Sequence, residues 1–368
     1  MKRIWFFIIS ACLVFSSMRS RDTVASQNRA MVHAVGIDSC EEGCSVTLQV
    51  FRPDGKGSDT QLDTAQSNVF CISDCGSTVE EAMQRCEDRL GEFLFLGHSQ
   101  IIVVGDEIAL TDPEKLFSYF LRGRETYLGL RLAAAEGKAS ALLEAELSEG
   151  AVAAENLVDV LDRHYKNSAA PKCTLLSLLD CPELSCAVLP IAKIEHSPDK
   201  DKNEASGDTV SVPGAAVCKK GERLFTLGPK QCAALNCLRC ERQTELLPLQ
   251  GKSGEVSVYV RHEGSVLSLK QEKGRLLCRY EIEIVVPPDS TADAEFSHPE
   301  LEDLAAKEIE KECRSLVSLS YEKHRADILG ISQQVRQSLP SLWDECDQDP
   351  DTLAALCDFE FEITCDAR

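Results

Sequence analysis

Cys357-Asp358-Phe359-Glu360-Phe361-Glu362-Ile363-Thr364-Cys365, near the end of the chain, puts an apolar residue at every second position and an acidic or polar one between. That period belongs to a strand with one face on a core and the other in water. It recurs over 275–286, where Leu276, Cys278, Tyr280, Ile282, Ile284 and Val286 share a face, and over 255–261 and 265–271. Pro287-Pro288 ends this sheet, and Pro299 opens a helix to about His324, with Leu301, Leu304, Ile309, Cys313 and Leu316 on one stripe. A strand at 214–218, a hairpin-like turn at Lys219-Lys220-Gly221-Glu222, a return at 223–227 and a helix over about 229–240 precede it. The second half reads as α+β, an antiparallel sheet packed against one long helix.

Working back toward the start, strand and helix signals alternate. An apolar stretch over 31–38 and a turn at 39–43 lead into a strand at 44–51, and a turn-rich loop at 52–57 leads on to a strand near 69–72. Ser77 or Thr78 caps a helix reaching about Gly91, with Glu80 and Glu81 in its first turn and Val79, Ala82, Met83, Cys86, Leu90 and Phe93 on its stripe. Gly97-His98-Ser99-Gln100 opens the buried-strand run Ile101-Ile102-Val103-Val104. Asp112-Pro113 starts a helix to about Leu121, a strand follows at 128–134, and helices follow at 138–148 and 152–166. This half is mixed α/β. The polar, aperiodic stretch 196–211 reads as a linker, so the chain divides into 1–19, a mixed α/β domain over 20–195, the linker, and an α+β domain over 212–368.

The first residues differ in kind. Lys2 and Arg3 precede 4–18, where only Ser10, Ser16 and Ser17 break an apolar run. A basic start, a short apolar core and small residues form a secretory signal, and about fifteen residues of helix fall short of the ~30 Å of a bilayer core. Ile9-Ser10-Ala11-Cys12 has the form of a lipoprotein processing site. Cys12 is therefore either a lipid-bearing residue or one more apolar residue of a signal or uncleaved anchor. No later run spans a bilayer, because Asp180, Pro182, Glu183 and Pro190 break 175–192. The formal net charge of −21 repels phosphate backbones and anionic lipid, which argues against nucleic-acid binding.

Eighteen cysteines in an exported chain suggest disulfides. Yet Cys86, Cys278, Cys313, Cys357 and Cys365 fall on apolar faces and read as small hydrophobes. Cys232-x4-Cys237-x2-Cys240 is the densest thiol group and the candidate for zinc or thiol chemistry, but it lies within one short helix and lacks a second ligand pair. Cys40-x3-Cys44 and Cys71-x3-Cys75 bracket turns, as disulfides, local ligands or unpaired thiols. His98 is the histidine to test for chemistry, against a structural role at a turn. No His-Glu-x-x-His helix, nucleophile elbow or phosphate loop is present, and Gly55-Lys56-Gly57-Ser58 lacks the required spacing. The sequence predicts a non-enzymatic protein without metal or cofactor.

Five segments, in order, resemble the Ger(x)C family, the C subunits of nutrient germinant receptors of endospore-forming bacteria. They are Ala34-Val35-Gly36-Ile37-Asp38, the run from Gly97-His98 through Gly105-Asp106-Glu107-Ile108-Ala109, Leu121-Arg122-Gly123-Arg124-Glu125, the opening Gly214-Ala215-Ala216-Val217-Cys218-Lys219-Lys220-Gly221-Glu222-Arg223-Leu224, and Tyr321 through Asp327-Ile328-Leu329-Gly330 followed by Trp343. One departure stands out. Members usually begin the mature chain with a lipidated cysteine followed by Trp-Asp, and that register here holds Ser20 followed by Arg21-Asp22. The resemblance implies a mixed α/β protein of up to three subdomains. It would be displayed on the extracytoplasmic face of the spore inner membrane, held by its N-terminus, beside an A-type subunit and a polytopic B-type subunit. The other function class compatible with an exported two-part chain is a solute-binding protein that captures a small nutrient.

Overall fold

The computed structural model describes residues 29–51, 69–123, 125–145, 153–180, 186–196, 208–251, 254–288 and 296–365. The signal or anchor segment with Cys12 and Ser20, the 52–57 loop and most of the polar stretch 196–211 lie outside them. Among the described residues, no helix is long and apolar enough to cross a membrane.

Two sheets organise the chain. The first begins with β1 (Arg29–Cys40), β2 (Gly43–Phe51) and β3 (Val69–Gly76), an antiparallel meander. Helix α1 (Val79–Leu90) follows, its N-terminus capped by the Thr78 hydroxyl and its end closed by Gly91 in the left-handed region. Short β4 (Phe93–Phe95) and β5 (Ile101–Val104) then pair parallel to β1. Helices α2 (Pro113–Leu116) and α3 (Ser118–Arg122) lead to β6 (Arg131–Ala135), parallel to β5. Helices α4 (Ala139–Glu144), α5 (Ala153–Lys166) and α6 (Leu175–Leu179) lead to β7 (Ala187–Glu195), parallel to β6.

Both faces of this sheet are covered. Val35, Ile37, Val46 and Leu48 meet α1, Phe117, Phe120 and α6 on one side, while Ala34, Ile101, Val103 and Ala133 meet α4 and α5 on the other. Double burial explains why 101–104 reads as an unbroken apolar run. Phe93, placed on the α1 stripe by spacing, is instead 59% exposed.

The sheet continues past the polar stretch. β8 (Thr209–Lys219) pairs antiparallel with β7, and β9 (Glu222–Leu227) pairs with β8. The stretch 196–211 thus joins neighbouring strands of one sheet, and β8 itself begins within it. Polarity without period marks a solvated connection, but does not say whether that connection is a hairpin or a domain boundary.

Helix α7 (Pro229–Leu238) leads to the second sheet, ordered β10 (Thr244–Gly251), β11 (Gly254–Glu272), β12 (Arg275–Val285) and β13 (Cys357–Cys365). The segments 255–261 and 265–271 are one strand, broken by a bulge between His262 and Gly264 that lets its two halves serve different neighbours. β10, β11 and β12 are antiparallel as the alternation implied. β13 joins β12 in parallel, because the chain returns through helices rather than a hairpin. Those helices are α8 (His298–Val317), extended by a wider π-type turn (Ser318–Lys323), then α9 (Ile331–Ser338), α10 (Pro340–Glu345) and α11 (Pro350–Leu356). Leu301, Ile309, Cys313 and Leu316 bury the predicted stripe of α8. The second core also takes in Cys186 and Val188 of the first sheet's side, with Ala215, Val217 and Leu227, so the two halves share one apolar interior.

Candidate functional site

The segments that carry the family resemblance hold helix ends. Asp38, 6% exposed at the end of β1, accepts hydrogen bonds from the Ala139 and Ser140 backbone N–H at 2.7 and 2.8 Å, and so caps α4. Gly105 faces that carboxylate: a Cβ there would stand 2.3 Å from Asp38 Oδ1. Ser99 donates to the Val32 carbonyl at 2.8 Å and pins the start of β5 to β1. Asp327 repeats the device in the other half. It is 2% exposed, and accepts from the Ile331 and Ser332 N–H at 2.9 and 2.7 Å and from the Tyr321 hydroxyl at 2.5 Å. Gly330 enters α9 with φ 72°, a conformation that suits glycine. Burial pushes the Tyr321 hydroxyl well above its usual range.

Between the halves runs a buried polar seam. Ser168 follows α5 with φ 61° and no exposure, and its hydroxyl donates to Gln243 Oε1 at 2.8 Å. Asn236 of α7 donates to the Ser168 and Ala170 carbonyls at 3.3 and 3.0 Å. The His262 N–H at the β11 bulge reaches the Gln243 carbonyl at 2.9 Å, and the Tyr165 hydroxyl donates to Glu241 at 2.6 Å. Each of these hydrogen bonds avoids the roughly 1–3 kcal/mol that an unsatisfied buried polar atom costs, although Gln243 Nε2 and His262 Nδ1 stay buried without a well-formed hydrogen bond. Sequence reading missed Ser168, Asn236, Gln243 and Glu245. The one available signal was the alternation itself, which puts His262 on the same buried face as Val256, Val258 and Val260.

Behind the seam, Glu245 Oε1 lies 3.2 Å from His262 Nε2, with the two side chains 7% and 4% exposed. Burial alone would lower the imidazole pKa, but hydrogen bonding to Cys237 and Glu245 and the Glu245 carboxylate charge outweigh that and raise it to about 10. The neighbouring Cys313 thiol and complete burial push the Cys237 thiol well above its usual range. Cys, His and Glu in this order are the parts of a nucleophile relay. Here the thiol is held protonated rather than activated, and Cys237 and His262 are each 3% exposed. Glu312 stands further along, its carboxyl pushed up to about 7 by burial and by Glu245, with Lys230 Nζ 3.2 Å away.

The predicted thiol group does not converge. Cys232 is buried, its thiol pushed up to about 12 by desolvation, Cys237 belongs to the seam, and Cys240 lies exposed beyond α7, accepting from Ser265 N–H at 3.4 Å. Among the described residues, no group of three or more His, Cys, Asp or Glu side chains is arranged to hold a metal ion. Cys40, Cys44, Cys71 and Cys75 are free thiols. Cys71 donates to the Leu143 carbonyl at 3.3 Å. His98 is exposed and packs edge-on against Phe95 at 5.4 Å. A groove of about 410 Å³ is lined by Leu94, Leu96, Tyr119, Thr126 and the Glu80–Arg122 ion pair.

A doubly covered mixed sheet, joined through a shared core and a polar seam to a one-faced sheet under a long helix, defines a two-part mixed α/β protein. The chain belongs to the GerAC family of spore germination proteins: 22–194 match the spore germination protein N-terminal domain, and 213–368 match the spore germination B3/GerAC-like C-terminal domain. The fold is similar to that in the crystal structure of the GerBC protein, with TM-score 0.51 and 14% identity over 90% of this chain and 96% of that one. No curated protein sequence matches the chain.

Proposed function

We propose that this chain is a non-catalytic, membrane-attached subunit of a nutrient germinant receptor, needed for spore germination. It works beside an A-type and a polytopic B-type subunit on the extracytoplasmic face of the spore inner membrane. The observation that carries this reading is the pair of family matches, which together take in nearly the whole chain in order. The core shared by the two halves suits a scaffold for assembly, and the acidic body suits a mass kept off anionic lipid. The tether is the N-terminal segment, through lipid on Cys12 or as an uncleaved anchor, and mass spectrometry of the native N-terminus separates the two. Deleting the coding sequence tests the role. The expected result is loss of germination on at least one nutrient with spores otherwise intact; normal germination on every nutrient overturns it.

The groove beside Tyr119 supports a second reading, capture of a small solute. Calorimetry of the isolated body against nutrient pools tests it, with stoichiometric heat expected if the groove is a ligand site and none if it is not.

A further inference from the structure

β13 stands at the end of the second sheet: β12 occupies one of its edges, and among the described residues no strand occupies the other. Its core-side residues Phe359, Phe361 and Ile363 are only half-buried, whereas Tyr280, Ile282 and Ile284 on the neighbouring strand are at most 2% exposed. Helix α8 reaches part of this row, with Arg314 5.5 Å above the Phe361 ring. Tyr321 lies 4.8 Å from the Phe359 ring and Cys365 reaches the Glu302 carbonyl at 3.6 Å, so the row is covered from above and stays part-exposed only along its outer edge.

The opposite face of β13 is charged. Asp358 and Glu360 are neutralised by Arg275 and Arg279 of β12. Further along, Glu362 lies directly across from Glu281 in the register, and Glu283 follows two residues on. All three are exposed, and Arg279, already paired with Glu360, is the cation that Glu281 and Glu362 share, so Asp358, Glu360, Glu362, Glu281 and Glu283 stand against Arg275 and Arg279 on this face. Like charges facing each other across a strand pair destabilise the sheet that carries them. The arrangement is therefore relieved by positive charge brought from outside.

We propose that the free edge of β13 accepts an extended segment of a partner protein in which Lys or Arg alternates with apolar residues. Added as a fifth strand, it would lay its apolar side chains beside Phe359, Phe361 and Ile363 and its cations next to Glu362, with Glu281 and Glu283 one strand further in at about 10 Å. A second copy of this chain is the wrong occupant, because it would set Glu362 beside another acidic edge on a body of net charge −21. The competing account is that the acidic edge only deters strand pairing. This proposal is independent of the receptor reading and of which complex the chain joins.

The probe is a capped peptide of alternating Lys and Val matched to the nine residues of β13. A peptide of the same composition with all Lys first serves as control, and both are titrated against the full chain. The expected result is one-to-one binding of the alternating peptide, about tenfold tighter than the block peptide and weakened by added salt. New amide-exchange protection should appear at 357–365. Glu281→Lys with Glu362→Lys should weaken binding about tenfold while leaving the melting temperature in place. No binding, equal binding of both peptides, protection elsewhere, unchanged affinity in the charge-reversed variant, or concentration-dependent protection of β13 without peptide would each overturn the proposal.

Discussion

The two sheets bury their residues differently. The first is covered on both faces, so its central strands are apolar throughout, and helix caps such as Asp38 are sunk into the packing. The second has helices on one face and water on the other, so every strand alternates, and its interior is enriched in thiols: Cys232, Cys237, Cys278, Cys313, Cys346 and Cys357 share one core. A residue's chemistry is therefore read from its face as much as from its type. Cysteines on the covered face of the second sheet are packing atoms, while Cys240 at the surface is a free thiol.

The two aspartate caps give the most direct comparison. Asp327→Ala strands three buried donors and Asp38→Ala strands two. At roughly 1–3 kcal/mol per stranded group, partly relieved by relaxation, about 3–5 kcal/mol is expected for the first and about 2–4 kcal/mol for the second. Urea unfolding of each variant measures this, and equal losses near zero would mean the caps are idle.

The seam adds a pH dependence. The folded-state pKa of His262, near 10, lies above the unfolded value of 6.5, so its stabilising contribution is complete below about 6.5 and is lost as pH rises through about 10. Glu312 acts with the same sign, its contribution being lost as pH rises through about 7. The melting temperature should therefore fall from pH 6 to 10 by ~10 °C or less, and His262→Gln should flatten that slope. An unchanged slope would show that the ring is not protonated in the fold.

Smaller effects separate core from surface thiols. Cys278→Ser puts an unpaired hydroxyl in the interior and should cost about 1–3 kcal/mol, whereas Cys240→Ser should change stability by less than about 0.5 kcal/mol. Smallest of all, Arg275→Ala removes an exposed pair with Asp358 and should cost no more than about 1 kcal/mol.

Much of this was legible from local pattern. Alternation over 255–286 and 357–365 exposed one face of the second sheet and placed its cysteines, and the stripe from Leu301 to Leu316 gave the long helix its inner face. What stayed hidden depends on contacts distant in sequence. Nothing near Asp38 announces that its partners are 101 and 102 residues away, and nothing near Ser168 points to Gln243, 75 residues on. The parallel placement of β13 follows from the helical return over 298–356, whose later helices carry only Pro and Asp start signals. The polar stretch 196–211 reads as a domain linker, and polarity alone does not reveal that β7 and β8 on either side of it pair within one sheet.

Affinity purification of the tagged full-length chain from detergent-solubilised spore membranes, followed by identification of the co-purifying chains, tests the central claim most directly. The account predicts recovery from the membrane fraction together with a polytopic subunit and an A-type subunit in comparable amounts. Recovery of the chain alone from the soluble fraction would contradict it.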